Sequence, residues 1–436
     1  MFQEVNYVST EKALSIINSN QRVFIHGGAC TPHYLLSELA KQKHRLQNVE
    51  LVSVSLQGEF LLANPEFAGH FHINSLFVSE PVREAVNAGR ADFIPIFLSD
   101  IPDLFKKIMK LDVAIVQVSP PDEHGYCTLG VSVDIARAAV NCAHQIIALV
   151  NPQMPRTHGD GLIHTRRFTH MVYHEEQLVQ INYEAKTGPE ELKIGQYVAE
   201  LIDDGSTLQM GIGTIPDAVY KCLHNHKNLG VHTEMCSNGI VDLIEKDVIN
   251  NTQKKIHPYK TVTGFAVGSQ LLYNYVHNNP AFAFLDIDYV NDPHVIRRNP
   301  KVIAVNSAIE VDVTGQVCAD SIGAKHFSGI GGQMDFMRGA ALSEGGKPII
   351  ALTSRTHKGL PRIVASLKPG AGVVTTRGHV HYIITEYGTA FLYGQNLRQR
   401  ARALIDIAHP DDRELLERQC FDRFTIFPAS LAKGQQ

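Results

Sequence analysis

Glu234 stands in Val231-His232-Thr233-Glu234-Met235-Cys236-Ser237-Asn238-Gly239, downstream of the Gly-rich turn Gly211-Ile212-Gly213-Thr214-Ile215-Pro216. About a hundred residues further on lies a second glycine cluster, Gly329-Ile330-Gly331-Gly332-Gln333-Met334-Asp335-Phe336. A Gly-x-Gly turn between strand and helix means a tight backbone bend, or a ligand that closely approaches the N–H groups. It lacks the third glycine of a dinucleotide fingerprint and the Lys-Ser/Thr of a phosphate loop. Read singly, a glutamate beside threonine and methionine is an ordinary surface or ion-paired residue. It becomes a candidate for chemistry only in combination with those turns.

Histidines suggest a different chemistry. His379-Val380-His381 would put two imidazoles on one face of a strand, and His158, His164, His170 and His174 crowd one region. Zinc or iron sites need such clusters with a carboxylate nearby. Yet His-x-His is a short and frequent pattern, and scattered histidines usually sit on the surface or satisfied in a core, so no metal is expected.

These residues must be positioned by a repeating alternation of strands and helices. Short apolar runs at Val52-Leu56, Val113-Val118, Ile146-Val150, Val302-Asn306, Ile349-Thr353 and Gly372-Thr375 alternate with helical patterns. Continuous apolar runs of this length read as strands buried on both faces, hence parallel or mixed sheets in an α/β protein. A weak internal repeat accompanies them. Val23-Phe24-Ile25-His26-Gly27 precedes Pro32 and Tyr34-Leu35-Leu36, just as Leu208-Gln209-Met210-Gly211 precedes Pro216 and Ala218-Val219-Tyr220, with equal spacing from Gly to Pro. Each proline sits where a helix can begin without its N–H. Two similar α/β domains follow, 1–188 and 189–436, joined through the polar Tyr183-Glu184-Ala185-Lys186-Thr187-Gly188-Pro189 stretch. A helix is expected from Pro189 to about Ile202, and a frayed tail at Lys433-Gly434-Gln435-Gln436.

The 436 residues exceed what one core usually serves, so two cores are expected. A hydrophobic fraction of 44% and a charged fraction of 19% belong to a folded globular chain. The net charge of −4 disfavours a nucleic-acid surface and leaves metabolites as the expected partners. The first residues carry no basic run or signal-length apolar core, and no stretch of about 18 apolar residues occurs, which points to a cytoplasmic protein without membrane contact. Seven scattered cysteines without a Cys-x-x-Cys pair read as reduced thiols.

Together with Ser119-Pro120-Pro121-Asp122-Glu123-His124-Gly125-Tyr126, the Glu234 segment and the Gly329–Phe336 cluster occur in the order and spacing of the acetyl-CoA hydrolase/transferase family, which this chain resembles over nearly its whole length. The resemblance implies that Glu234 is the nucleophile. It implies CoA contacts at Gln209, Met210, Gly211, Ile212, Gly213, Ile309, Gly331, Gly332 and Lys358, the last meeting a CoA phosphate. Within the family the likeness is greatest to 4-hydroxybutyrate CoA-transferases, which implies CoA exchange between acetyl-CoA and short-chain acids through a glutamyl-CoA thioester. Coenzyme A enters as substrate, no tightly bound cofactor is needed, and a homodimer is expected. An acetyl-CoA hydrolase, or a CoA-ester or sugar-phosphate sensor on the same scaffold, is the alternative. Two positions depart from the family pattern: Thr233 stands where Ser is common, and Asn238 where Asp is.

Overall fold

The computed structural model describes residues 6–181 and 187–424. In the first half seven strands form one sheet: β1 (Arg22–Ile25), β2 (Val49–Val54), β3 (Phe71–Phe77), β4 (Ala91–Phe93), β5 (Val113–Val118), β6 (Gln145–Val150) and β7 (His170–Tyr173). Every pairing is parallel, and the spatial order is β4-β3-β2-β1-β5-β6-β7. Side chains alternate between faces with the period of two that a strand imposes. On β5 and β6, Val113, Ile115, Ile147 and Leu149 enter one apolar cluster, while Ala114, Val116, Ala148 and Val150 enter another. Both faces are therefore covered, as a parallel sheet requires.

The second half repeats the plan. Its strands are β8 (Thr207–Met210), β9 (Gly230–Cys236), β10 (Thr261–Ala266), β11 (Phe282–Phe284), β12 (Val302–Ser307), β13 (Lys347–Ala351), β14 (Tyr382–Thr385) and β15 (Gly388–Phe391). Their order, β11-β10-β9-β8-β12-β13-β14-β15, reproduces the first sheet and adds one antiparallel edge strand. The weak repeat in the sequence is thus a repeated topology. In each sheet the first strand lies at the centre, with the second and fifth on either side. At such a switch point the loops beyond the strands' C-terminal ends diverge and leave a crevice. In the second half that crevice opens beside Gly211, after β8, and beside the loop that follows β12.

The two halves do not keep separate cores. One continuous apolar cluster takes Phe24, Val116 and Val150 from the first half and Leu208, Val231 and Val305 from the second. Backbone bonds cross as well: the N–H groups of Val133 and Asp134 donate to Gly264 O at 3.0 and 3.1 Å, and Asp160 donates to Phe284 O at 2.8 Å.

Several local expectations shift. Gly372-Thr375 is not a strand: Val373 is exposed, and only Thr375 makes a bridge, to Val317. The runs expected at Val52-Leu56 and Ile349-Thr353 belong to strands that begin and end earlier, at Val49–Val54 and Lys347–Ala351. Pro32 precedes its helix (His33–Lys41), whereas Pro216 lies in the first turn of helix Thr214–Lys221; the missing N–H is harmless in both places. Helix Pro189–Glu200 forms as expected, with the Glu191 carboxylate accepting from the Gly188 N–H at 3.0 Å. Residues 182–186 and the tail at 433–436 lie outside the described residues. All seven cysteines are free thiols, five of them buried.

Candidate active site

Strand β9 is fastened along its length before it presents Glu234. At its start the buried Lys254 ammonium donates to Val231 O at 2.8 Å and to Lys260 O at 2.6 Å, and burial pulls its pKa down to about 7. Gly230 has to be glycine there, because a Cβ would press on the Lys254 side chain. His232, buried and held neutral with a pKa near 3, bonds from Nε2 to Val290 O at 2.8 Å; a carbonyl partner makes Nε2 the protonated nitrogen. The Thr233 hydroxyl lies 3.2 Å from Met210 O and 2.9 Å from Met235 O, its one proton shared between them, so it ties β9 to the end of β8.

Glu234 is only half-buried by its surface, but its carboxyl is surrounded by protein. Burial raises its pKa to about 7. The Asn291 amide and the Gly332 backbone oppose that rise; Asp335 and Asp134 add to it, and among the described residues no cation is paired with it. The Asn291 Nδ2 donates to Glu234 Oε2 at 3.0 Å and to Asp335 Oδ2 at 3.3 Å, so one amide is shared by two carboxyls. Asn291 Oδ1 has no partner among the described residues. Asp335 is itself raised to about 6, chiefly by burial, and accepts from Ser99 Oγ at 2.9 Å. It lies in the first turn of helix Gln333–Leu342, whose positive end adjoins Glu234 through the capping Gly332.

The expected site residues divide into three groups. Gly332 is brought to Glu234, where a Cβ on it would overlap Glu234 Oε2 and Asn291 Nδ2, whereas a Cβ on Gly331 would face Phe77. The expected cause was close approach of a ligand, but the structure shows a packing cause first. Gly331 has φ +60°, which favours glycine in its own right. Gln209 and Met210 are buried on β8, with Gln209 Oε1 accepting from Asn306 at 3.1 Å. Gly211, Ile212 and Gly213 form the half-buried turn beyond it; Cβ atoms at either glycine would meet nothing within 4 Å, so this turn borders open space. Ile309 is half-buried and donates from its N–H to Cys318 O at 2.8 Å. Lys358 sits in an exposed turn, and no contact among the described residues links it to Glu234. Asn238, the second departure, donates to Ser269 Oγ at 2.7 Å and accepts from the Ser269 N–H at 2.9 Å, so it braces a loop rather than facing the carboxylate.

Asn291, Asp335 and Ser99 were not singled out from the sequence. Asp335 falls inside the quoted glycine segment; Asn291 and Ser99 carry no local signal, since only the fold brings positions 99, 234, 291 and 335 together. The histidine reading changes too. His379 lies in a turn, bonded to Thr376 Oγ1 at 2.9 Å, and His381 precedes β14 with its ring against Tyr393 at 4.2 Å, so the two do not share a strand face. Among the described residues no three His, Cys, Asp or Glu side chains are grouped to hold a metal ion.

Residues 3–182 match the acetyl-CoA hydrolase/transferase N-terminal domain, and residues 268–420 match its C-terminal domain. The chain belongs to the acetyl-CoA hydrolase/transferase family. Glu234 lies between the two matched spans, but alignments to full-length relatives extend over almost the whole chain. A succinyl-CoA:acetate/propanoyl-CoA:succinate CoA transferase of Fasciola hepatica is 49% identical, covering 97% of this chain and 89% of its own. A 4-hydroxybutyrate coenzyme A transferase of Clostridium kluyveri is 46% identical, covering 96% and 97%. Among solved structures, RipA from Yersinia pestis superposes with a TM-score of 0.92 at 31% identity, covering 96% of this chain and 98% of its own.

Two predictions follow from this family member's carboxyl environment. Glu234 is protonated more readily in the folded state (about 7) than at its ordinary 4.5, so ionising it weakens the fold increasingly as pH climbs between those values. Glu234→Gln cannot ionise. Its melting temperature minus that of the wild type should therefore grow from pH 4.5 to 7 and level off above, as scanning calorimetry across that range will read; a constant difference would contradict the raised pKa. Gly332→Ala tests the packing. Its φ of −98° is ordinary for any residue, so the fold should survive while the displaced carboxylate loses activity, by about a hundredfold in kcat/KM. Unchanged kinetics in a folded Gly332→Ala variant would mean that the segment is only a turn.

Proposed function

We propose that this protein is a CoA-transferase that exchanges CoA between an acyl-CoA, acetyl-CoA foremost, and a short-chain carboxylate such as 4-hydroxybutyrate. The observation that carries the reading is Glu234 itself: a carboxylate with no paired cation among the described residues, its basicity raised, steered by one Asn291 amide and set against Gly332. A carboxylate locked to Arg or Lys would be a poorer nucleophile. The relatives' transferase names agree with this reading.

In the proposed reaction Glu234 attacks the thioester carbonyl, giving an acyl-glutamyl anhydride and CoA thiolate. The thiolate attacks the glutamyl carbonyl and releases the first acid, leaving a glutamyl-CoA thioester. The acceptor acid then reverses both steps and departs as its own CoA ester. Dividing the exchange in this way is covalent catalysis. Oxyanions arise at both carbonyls, where the Gly331 and Gly332 backbone supplies approach without Cβ hindrance. The amide-bearing arm of CoA would run along the 209–213 turn, which borders open space, and past Ile309, with Lys358 meeting a phosphate by moving its flexible stem. These steps need no metal or redox cofactor. Water must be excluded from the anhydride, or the outcome becomes hydrolysis.

Borohydride reduction during turnover with acetyl-CoA tests the reading: the Glu234 peptide should be modified, Glu234→Ala should lose transfer with its fold intact, and double-reciprocal plots at several acceptor concentrations should be parallel. Modification of another acidic residue, or loss of acetyl-CoA at one rate with and without acceptor, would overturn it.

A further inference from the structure

The glycine segment beside Glu234 belongs to the second half of the chain, yet it is held from the first. Helix Glu80–Asn87 of the first half receives the tight hairpin Ser321–Ile322/Lys325–His326 of the second. The Asn87 side chain pairs with the backbone of His326 in both directions, donating to its carbonyl at 2.8 Å and accepting from its N–H at 2.9 Å. One helical turn earlier, Arg83 Nε donates to Phe327 O at 2.8 Å, and the guanidinium lies 4.0 Å over the centre of the Phe327 ring. The His326 ring rests 5.3 Å from that of Phe93. The chain then runs inward: Gly329 lies so close to Phe77 that a Cβ would strike its ring and backbone. Gly331 O accepts from the Leu98 N–H at 3.1 Å, and Ser99 holds Asp335. Gly332 is next, against the Glu234 carboxylate.

We propose that Arg83 and Asn87 are positioning residues for the reaction: their clasp on His326 and Phe327 sets the register in which Gly331 and Gly332 meet Glu234, so that the first half tunes a nucleophile carried by the second. Neither side chain needs to touch substrate. The hairpin is braced at its base, where the N–H groups of Phe327 and Ser328 both donate to Asp320 O at 2.7 and 2.9 Å, so a shift at the clasp passes along the five residues to Gly332 rather than dissipating in a loose loop. Besides its hydrogen bond, the Arg83 guanidinium sits over the Phe327 ring, and a lysine at this position would lose the Nε donor while keeping a weaker cation–π contact. This inference rests on the transferase reading with Glu234 as nucleophile.

The test uses the full chain as Arg83→Ala/Asn87→Ala and as single Arg83→Lys. Hydrogen exchange first reads the mechanical link without any turnover: amides at Leu98 and across 329–332 should exchange at least about tenfold faster in the double variant. Kinetics then read the consequence. In the double variant kcat for acetyl-CoA-dependent transfer should fall by about ten- to a hundredfold with KM for acetyl-CoA changed much less. The acid limb of its kcat/KM profile should move to higher pH, because the Gly332 backbone that holds the Glu234 pKa down has moved away. Arg83→Lys should recover only part of the rate. Normal exchange and normal kinetics, or faster exchange with an unchanged pH profile and kcat, would overturn the proposal. A wild type that transfers nothing, or an undiminished Glu234→Ala, would instead sink the transferase reading, and the exchange result would still stand on its own.

Discussion

One shared hydrogen-bond donor governs the site. Asn291 has a single amide between the carboxyls of Glu234 and Asp335, and among the described residues neither carboxyl is paired with a cation. Burial raises both groups towards neutrality; the Asp335 and Asp134 carboxyls push Glu234 further, and Asp100 does the same for Asp335. The arrangement would be unstable if either group could swing away. The rest of the structure prevents that: Lys254 and His232 fix β9 and the Val290 carbonyl next to Asn291, helix Gln333–Leu342 fixes Asp335, and Gly332 leaves no room behind Glu234. A buried ammonium pulled down to about 7 and a neutral imidazole are the cost of holding the strand by backbone carbonyls alone.

The duplicated topology divides the work. The second sheet carries Glu234, the proposed nucleophile, on β9 and the turn bordering open space after β8, both at the crevice its strand order creates. The first half holds the neighbours of Glu234: Ser99 reaches Asp335, Leu98 reaches Gly331, and the loop at 132–134 enters the second sheet beside β10. The merged core makes the two halves one packing unit at the site, so changes in either should be felt at Glu234.

How much of this could be read beforehand depends on whether the information is local. The α/β class, the parallel β5 and β6, the repeat and the helix after Gly188 all rest on patterns within ten or so residues, and all are present. Gly372-Thr375 shows where that logic stops: two adjacent valines look like a strand, but flanking glycines and an exposed Val373 leave a single bridge. Glu234, Gly331 and Gly332 are legible as a set through family likeness, and in the structure Gly332 packs against the Glu234 carboxylate. Asn291 and Ser99 were not legible, since an amide donor and a hydroxyl become meaningful only once four distant segments converge. Gly332 reads from the sequence as a place for close ligand approach, whereas the nearest demand for a missing Cβ is the Glu234 carboxylate itself.

The central claim is that the Glu234 carboxylate joins covalently to acyl groups and passes an oxygen on. In that scheme the bridging oxygen of the second anhydride comes from the acceptor acid and remains on Glu234 when the new acyl-CoA leaves. A single turnover with acetyl-CoA and a carboxylate fully labelled with 18O, in unlabelled water, followed by mass analysis of the Glu234 peptide, tests this directly. The account predicts one 18O atom in that peptide and label in the acid released at the next turnover. A peptide without label alongside normal acyl-CoA formation would contradict it.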